Sequence, residues 1–290
     1  MRILMLGGTS FVGRAIAATA AREGHAVTIF SRGRTGSELF PEVPRLLGDR
    51  ETGDYGSLAD DEWDAVVDVS GFVPRHVNQV ADALGDRAGR YLFISSHNVY
   101  APTDTAESDE DTERVPPWRD SEEIDQETYG RLKVACEDDL LARYGSRATI
   151  VRPGRVAGPH DNQDAFTYWV RRAARGGAVA LPADPRQPTQ VIDSRDLARF
   201  VVRLLVDDRP GAFTAVGPAE PTTMAGLVGT CAAVAGTTVD IVPVTPDSVP
   251  AGFPLVRHGD WTSQQRSAAR ARAAGLPATP LERTARDVLA

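Results

Sequence analysis

The feature that most constrains the fold is a glycine-rich turn close to the N-terminus. The run from Arg2 to Leu6 has no polar face, which is typical of a strand buried on both sides in a parallel sheet. Gly7-Gly8-Thr9-Ser10 follows, and a helix-forming run from Phe11 to Arg22 comes next. This order brings backbone N–H groups to the helix N-terminus, where they bind a pyrophosphate. Glycine-rich turns also occur for steric reasons alone, but the position in a first βα unit favours a dinucleotide site.

Strands and helices continue to alternate after this turn. This rhythm predicts an α/β fold, a Rossmann-type doubly wound parallel sheet. From Phe166 the pattern changes to short helices and loosely alternating segments, which predict a smaller C-terminal lobe that binds the substrate. We therefore expect residues 1–165 to form the dinucleotide-binding domain, with 189–208 returning to it, and 166–290 to form the smaller lobe. Within that stretch a short strand is expected at Thr189–Ile192.

Composition excludes several classes of protein. The net charge of −8 argues against a general nucleic-acid binder, for which a basic face is expected. No apolar run approaches the ~20 residues that span a bilayer, and the first strand leaves no room for a signal peptide. Cys136 and Cys231 form neither a metal motif nor a disulfide framework. We expect a cytoplasmic protein with two reduced, buried thiols and no metal.

The end of the second predicted strand bears on the choice of dinucleotide. An acidic residue there binds the ribose 2′-hydroxyl of NAD, but this sequence has Ser31-Arg32-Gly33-Arg34. Two arginines suit a 2′-phosphate, so NADP is the expected cofactor and NAD is the alternative. If the arginines have no role in binding, they form a solvated basic loop. Asp49, after a short third strand, is placed to accept a hydrogen bond from the adenine amino group.

A tyrosine and a lysine four residues apart carry the chemistry. Tyr129 and Lys133 share one face of a predicted helix over Glu127–Arg143. Beside an ammonium and an oxidised nicotinamide, a phenol is suited to exchange a proton with a substrate oxygen, and we expect this role for Tyr129. Ser96, at the end of the fifth strand, could hydrogen-bond the same oxygen. A surface pair occurs by chance in many helices, but the nucleotide turn strengthens the functional interpretation.

The segment 101–128 interrupts the βα rhythm and is rich in acidic residues and proline. Most such runs are solvated loops. This one follows the fifth strand and would overhang the carboxyl ends of the strands, where ligands bind, so a partial substrate lid is the second interpretation.

His97 and Asn98 are expected to contact either substrate or neighbouring polar groups. His160 and Asp161 lack a third metal ligand, and Trp169 is expected in the core.

Five motifs together resemble the extended short-chain dehydrogenase/reductase superfamily, in its branch of NAD-dependent epimerases and dehydratases. They begin at Gly7, Ser95, Tyr129, Arg152 and Val191 and extend the likeness over essentially the whole chain. The resemblance implies Ser96, Tyr129 and Lys133 as the catalytic set, with Lys133 also binding the nicotinamide ribose. The residues expected to bind the cofactor are Gly7, Thr9, Ser10, Phe11, Val12, Gly13, Ser31, Arg32, Arg34, Asp49, Arg50, Val69, Ser70, Gly71, Ser95, Tyr129, Lys133, Pro153, Gly154 and Val156.

The sequence departs from the family pattern in three places. Ser10 replaces the middle glycine of the turn, and the acid after the second strand is missing. Nucleotide-sugar enzymes of the family carry a diphosphate-binding arginine where this chain has Thr189-Gln190. With an acidic segment over the site, we expect a neutral or cationic substrate unless Arg171, Arg172 or Arg186 supplies the charge.

These motifs favour hydride transfer between a nicotinamide and a carbonyl or hydroxyl of a small metabolite. The alternative is a sugar or nucleotide-sugar epimerase or dehydratase that holds and recycles its cofactor. A non-catalytic dinucleotide sensor is the third class, but a sensor has no need of a Ser-Tyr-Lys proton relay. Relatives pair through the helix around Glu127–Arg143, which implies a homodimer.

Overall fold

The computed structural model describes residues 1–218, 220–250, 252–257, 259 and 261–290 of the chain. The strands are β1 Arg2–Leu6, β2 Ala26–Ser31, β3 Arg45–Leu47, β4 Trp63–Asp68, β5 Ala88–Ile94, β6 Ala148–Pro153, β7 Arg155–Ala157, β8 Gly177–Leu181, β9 Pro188–Thr189, β10 Val191–Asp193, β11 Gly211–Ala215, β12 Thr222–Thr223 and β13 Val239–Pro243. The α-helices are α1 Phe11–Arg22, α2 Pro74–Leu84, α3 Thr128–Tyr144, α4 Ala165–Ala174, α5 Ser194–Val206, α6 Met224–Ala235, α7 Ala269–Ala273 and α8 Leu281–Leu289.

Seven parallel strands form the central sheet, in the order β11-β6-β5-β4-β1-β2-β3. The chain runs outward from β1 in one direction to β3 and then returns to β4 on the other side of β1. The order therefore reverses between β1 and β4, and the carboxyl ends of the strands at such a reversal form the crevice where ligands bind. This topology confirms the predicted doubly wound sheet.

Helices cover both faces of the sheet, and β1 shows why its sequence has no polar face. Ile3 and Met5 pack in the core beneath α1 and α5, whereas Leu4 and Leu6 pack on the opposite face with residues of α2 and α3. All four side chains are buried. Successive side chains of a strand point to opposite faces, so a strand in the centre of a three-layer sandwich must be apolar at every position.

The division into domains needs a correction at its boundaries. Residues Gly211–Ala215 form β11, the seventh strand of the sheet, although the expected return to the sheet ended at residue 208. Ala271 of α7 and Leu276 pack in the same core as α1 and α5, although they belong to the stretch assigned to the smaller lobe. The pairing of β11 with β6 is a long-range contact. The five residues of β11 are small or apolar, and their pattern does not predict which strand they pair with.

The smaller lobe has its own core between α4, α6, α8 and β8. Three two-stranded pairs complete it: β8 with β13 and β7 with β10 are parallel, and β9 with β12 is antiparallel. The strand expected at Thr189–Ile192 is in fact two strands, β9 and β10, which pair with different partners. None of the helices in the described part of the chain has the length and apolar composition that crossing a bilayer requires.

Candidate functional site

The turn between β1 and α1 is tight because glycines allow two close contacts. Gly7 adopts a φ of 83°, a left-handed backbone conformation that residues other than glycine rarely adopt. A Cβ atom at Gly13 would lie 2.4 Å from the Gly7 carbonyl oxygen, so only glycine fits at this position of α1. The turn thereby brings the N-terminus of a twelve-residue helix to the edge of the sheet formed by the carboxyl ends of its strands. The free N–H groups of the helix can bind an anion there.

Helix α3 brings Tyr129 and Lys133 to the same edge. A Cβ atom at Gly130 would lie 2.2 Å from the Asn98 carbonyl oxygen, so this glycine allows α3 to pack against the loop that follows β5. That loop contains Ser96, which is buried and whose Oγ accepts a hydrogen bond from the Asn98 N–H at 3.1 Å. The requirement for glycine between the tyrosine and the lysine is a signal that sequence analysis did not use.

The Lys133 ammonium is held in place by backbone carbonyls. Its Nζ donates to the carbonyl oxygens of Gly71 at 2.7 Å and Ile94 at 2.9 Å, and the side chain is buried. The same atom lies 4.4 Å from the ring centroid of Phe93. An ammonium has three N–H donors, so one remains for a further partner.

These elements surround one cleft of about 1580 Å³. Of the residues predicted to bind the cofactor or act on the substrate, those that line it are Gly7, Thr9, Ser10, Phe11, Val12, Gly13, Val69, Ser70, Ser95, Ser96, Tyr129, Lys133, Pro153, Gly154 and Val156. Ser10, which replaces a family glycine, accepts a hydrogen bond from Asn162 on the opposite wall at 3.1 Å. We call the Gly7–Gly13 turn together with Ser96, Tyr129 and Lys133 the cofactor side of the cleft.

Six predicted residues lie outside this lining: Ser31, Arg32, Arg34, Asp49, Arg50 and Gly71. Arg32 and Arg34 are exposed beyond β2, and Arg34 lies 3.7 Å from the Asp49 carboxylate. The guanidinium of Arg50 is buried in an ion pair with Asp68 at 2.9 Å, so this side chain already has an acidic partner, and a cofactor role for Arg50 stays a prediction. Burial alone would lower the pKa of Arg50, but the Asp68 charge raises it.

A second buried ion pair joins β6 to α3. The Glu137 carboxylate on α3 is fully buried and accepts two hydrogen bonds from Arg152, at 2.7 and 3.0 Å. Ser95 and Arg114 also donate to it, at 2.5 and 3.0 Å. Burial alone would lower the pKa of Arg152, but the Glu137 carboxylate raises it. Arg152 therefore has a neutralising partner and links β6 to α3.

Part of the cleft lining carries positive charge that the sequence analysis missed. Arg155, Arg257 and Arg266 line it together with the buried imidazole of His97, and we call these four residues the arginine side. Burial, followed by the charges of Arg266, Arg257 and Arg155, lowers the pKa of His97 to about 3. The ring is therefore neutral at physiological pH. An expected neutral or cationic substrate does not fit a wall of this charge.

The three arginines that the sequence offered for this charge lie elsewhere. Arg171 and Arg186 are exposed and pair with Asp164 and Asp184, at 3.2 and 2.8 Å. The Arg172 guanidinium donates to backbone carbonyls at the end of α4 and in β8. None of the three is among the cleft residues.

The acidic segment 101–128 is attached to the domain and also borders the cleft. Arg75 of α2 donates to the Glu122 carboxylate at 2.7 Å, and Arg270 of α7 pairs with Asp111 at 3.0 Å. The segment contributes Pro102, Thr103, Val115, Ile124, Asp125, Gln126 and Glu127 to the cleft lining. Its position fits the interpretation as a partial lid, and arginines pair with Glu110, Asp111, Glu122 and Glu127.

Three further residues considered in the sequence analysis, Trp169, Cys136 and Cys231, are buried in the protein core. Trp169 is fully buried in the core of the smaller lobe. Cys136 and Cys231 are also buried, and burial raises the pKa of each thiol to about 12. The described residues contain no group of three or more His, Cys, Asp or Glu side chains that could hold a metal ion.

Comparisons with known proteins agree with this geometry. The model of the NAD dependent epimerase/dehydratase family matches residues 74–215. The chain is 25% identical over 252 residues to the chloroplast stem-loop binding protein of 41 kDa b from Arabidopsis thaliana, covering 81% of this chain and 63% of that protein. It is 29% identical over 224 residues to 2′-dehydrokanamycin reductase from Streptomyces kanamyceticus, covering 72% of this chain and 59% of the reductase. The match thus spans less than two thirds of either relative.

The fold also matches solved structures over the whole chain. UDP-glucose 4-epimerase from Thermus thermophilus, solved in complex with NAD, aligns with a TM-score of 0.72 and 18% sequence identity. The alignment covers 100% of this chain and 98% of the epimerase. The glycine-rich turn, the Tyr-x-x-x-Lys helix and the family model agree: residues 74–215 are similar to the NAD dependent epimerase/dehydratase family, and the chain as a whole has the fold of the solved epimerase.

Proposed function

We propose that the protein is an NAD(P)-dependent oxidoreductase that transfers hydride between a nicotinamide and a carbonyl or hydroxyl of a small metabolite. One observation supports this most strongly: a single cleft is lined by the glycine-rich turn at one end and by Ser96, Tyr129 and Lys133 beside it. The two parts come from distant segments of the chain, and only the fold brings them to one cavity.

The residues around the turn fit a dinucleotide. The left-handed Gly7 and the side-chain-free Gly13 leave the α1 N-terminus open for a pyrophosphate, which the N–H groups of Phe11 and Val12 would bind. Pro153 and Val156 line the cleft where they would flank the nicotinamide. The bound cofactor would supply or accept the hydride. The protein's part is to hold it against the substrate oxygen and to move a proton.

Three side chains are assigned to proton transfer. The Tyr129 hydroxyl exchanges the proton with the substrate oxygen, and Ser96 donates a hydrogen bond to the same oxygen. Lys133 uses two of its N–H donors on Gly71 and Ile94, which fixes the ammonium in place. Its third donor would serve the cofactor ribose.

The finer choice of cofactor is NADP. Arg32 and Arg34 are exposed beyond β2, next to the strand that carries the glycine-rich turn, and no acidic residue follows β2 directly. A guanidinium binds a phosphate through two parallel N–H donors, which the exposed Arg32 can present.

An epimerase or dehydratase is the alternative, because a solved structure with this fold is a UDP-glucose 4-epimerase. The relative that covers 72% of this chain is a reductase by name, which favours net hydride transfer. The two mechanisms differ in coenzyme consumption, since an epimerase restores its cofactor within each turnover. A cytoplasmic location and a homodimer stay predictions.

The test is mass spectrometry of the purified protein followed by an assay of NADPH oxidation with a panel of sugar ketones. A site without retained nucleotide, together with substrate-dependent oxidation of NADPH, supports the reductase. Retained NAD without net oxidation of coenzyme supports the epimerase. A protein that binds neither NADPH nor NADH contradicts both.

A further inference from the structure

The four residues at the end of β4 contact both parts of the cofactor side. We call residues 68–71 the 68–71 segment. At its end, the Gly71 carbonyl oxygen accepts a hydrogen bond from the Lys133 Nζ at 2.7 Å. In its middle, the Ser70 Oγ donates to the last carbonyl oxygen of β1 at 3.0 Å. A Cβ atom at Gly7 would lie 3.1 Å from the same Oγ, so the segment packs closely against the glycine-rich turn. The segment therefore links the turn to the ammonium.

The carboxylate of Asp68 holds this segment in place. It is fully buried, and its Oδ1 accepts a hydrogen bond from the Ser70 N–H at 3.0 Å. Its Oδ2 accepts a second hydrogen bond from the Tyr91 hydroxyl of β5 at 2.7 Å. A Cβ atom at Gly71 would lie 3.0 Å from the same Oδ2, so the backbone of Gly71 packs against the carboxylate. One side chain thus contacts the segment at two of its residues.

Arg50 neutralises this carboxylate. Its guanidinium is buried and lies 2.9 Å from the Asp68 Oδ1. Both residues lie outside the lining of the cleft, whereas Ser70 and Lys133 belong to it. Removing one partner of such a pair leaves an uncompensated buried charge, but replacing both by apolar residues of similar size is often neutral in stability. Substitution can therefore separate the contribution of the pair to stability from its effect on the segment.

We propose that Asp68 is a positioning residue for the cofactor site. Its carboxylate holds the 68–71 segment, and the Gly71 carbonyl in turn holds the Lys133 ammonium where it binds the cofactor. Arg50 serves as the counter-charge. The inference rests on the proposed function for the role of Lys133 at the cofactor ribose. Such placement matters because a displacement of about 1 Å can cost ~10²-fold in rate even when the substitution is remote from the chemistry.

The test is a calorimetric titration of NADPH into two variants that share Arg50→Met. Arg50→Met/Asp68→Asn removes both charges and keeps a side-chain oxygen that can accept from the Ser70 N–H. Arg50→Met/Asp68→Leu introduces a side chain of similar size without an acceptor. The second variant is expected to bind NADPH at least about tenfold more weakly than the first. Because Arg50 is replaced in both, a direct contact of Arg50 with the cofactor would cancel in this comparison.

Asp68→Glu tests the same hydrogen bond with the ion pair retained. It displaces the carboxylate by one methylene, so its NADPH affinity is also expected to fall, which decides the matter if the leucine substitution prevents folding. Asp193→Asn is the matched control, because it removes the charge of another buried carboxylate, which pairs with Arg195 at 2.6 Å. It is expected to lower stability in chemical denaturation and to leave the NADPH affinity unchanged.

A second measurement shows whether Asp68 acts through Lys133. Lys133→Met added to Arg50→Met/Asp68→Leu is expected to lower the NADPH affinity little beyond Lys133→Met alone, because residues that act together give losses that do not add. Full additivity would overturn the positioning role. Equal affinities of the two Arg50→Met variants, or an unchanged affinity of folded Asp68→Glu, would also overturn it. Failure of the wild type to bind NADPH would instead contradict the proposed function.

Discussion

The two sides of the cleft are built from different kinds of sequence information. The cofactor side comes from short motifs in which neighbours in sequence are neighbours in space: Gly7 contacts Gly13, and Tyr129 and Lys133 share one helix. The arginine side joins Arg155 to Arg257 across two lobes, and no spacing in the sequence connects them. The cofactor side is thus a property of local structure, whereas the arginine side is a property of the assembled fold.

The largest effect is expected for the variant Tyr129→Phe. It keeps the aromatic ring and deletes the ionisable oxygen, so hydride transfer should fall by about 10²–10⁴-fold or more while NADPH still binds. Steady-state kinetics and calorimetric titration of the same preparation check both statements. Tyr168→Phe, on the smaller lobe and outside the cleft, is the matched control.

Near-normal turnover by a folded Tyr129→Phe protein would rule out this mechanism. Ser96→Ala should lower activity with little effect on cofactor affinity, whereas Lys133→Met should lower both. The losses from Tyr129 and Ser96 should not add in full, because both groups act on one substrate oxygen.

The next largest effect concerns stability and separates Arg152 from Arg155. Arg152→Met removes a partner from the buried Glu137 carboxylate, and the free energy of unfolding should fall by about 3–5 kcal/mol. Arg155→Gln removes a charge that pairs with no carboxylate among the described residues, so it should cost far less. Chemical denaturation of the two variants measures the difference, and equal losses would contradict this difference between their partners.

The smallest effect is expected at the end of β2. Arg32→Ala should remove much of the preference for NADPH over NADH, since the loss of a charged hydrogen-bond partner costs about 1.5–3 kcal/mol. Arg22→Ala, an exposed arginine at the end of α1, serves as the control. Calorimetric titrations that give equal affinities for the two coenzymes in the unmutated protein would end this proposal.

Features that depend on local sequence could be predicted, whereas features that depend on long-range contacts could not. The doubly wound sheet and the bounds of α1 and α3 could be predicted to within a residue or two, because apolar runs and glycine positions are local signals. Arg50 was expected to bind the cofactor, and its ion pair with Asp68 joins the loop after β3 to the end of β4, a long-range contact that no short motif contains. For the same reason β11 and the arginine side were missed.

The most direct test of the account is a calorimetric titration of NADPH into wild-type protein, Gly13→Ala and Gly229→Ala. An added Cβ at Gly13 would meet the Gly7 carbonyl oxygen at 2.4 Å, whereas at Gly229 of α6 it meets nothing within 4 Å. Wild type and Gly229→Ala are expected to bind NADPH with the same affinity, and folded Gly13→Ala is expected to lose that binding. Equal affinity in all three proteins, or no binding to the wild type, would contradict the assignment of this cleft to a dinucleotide.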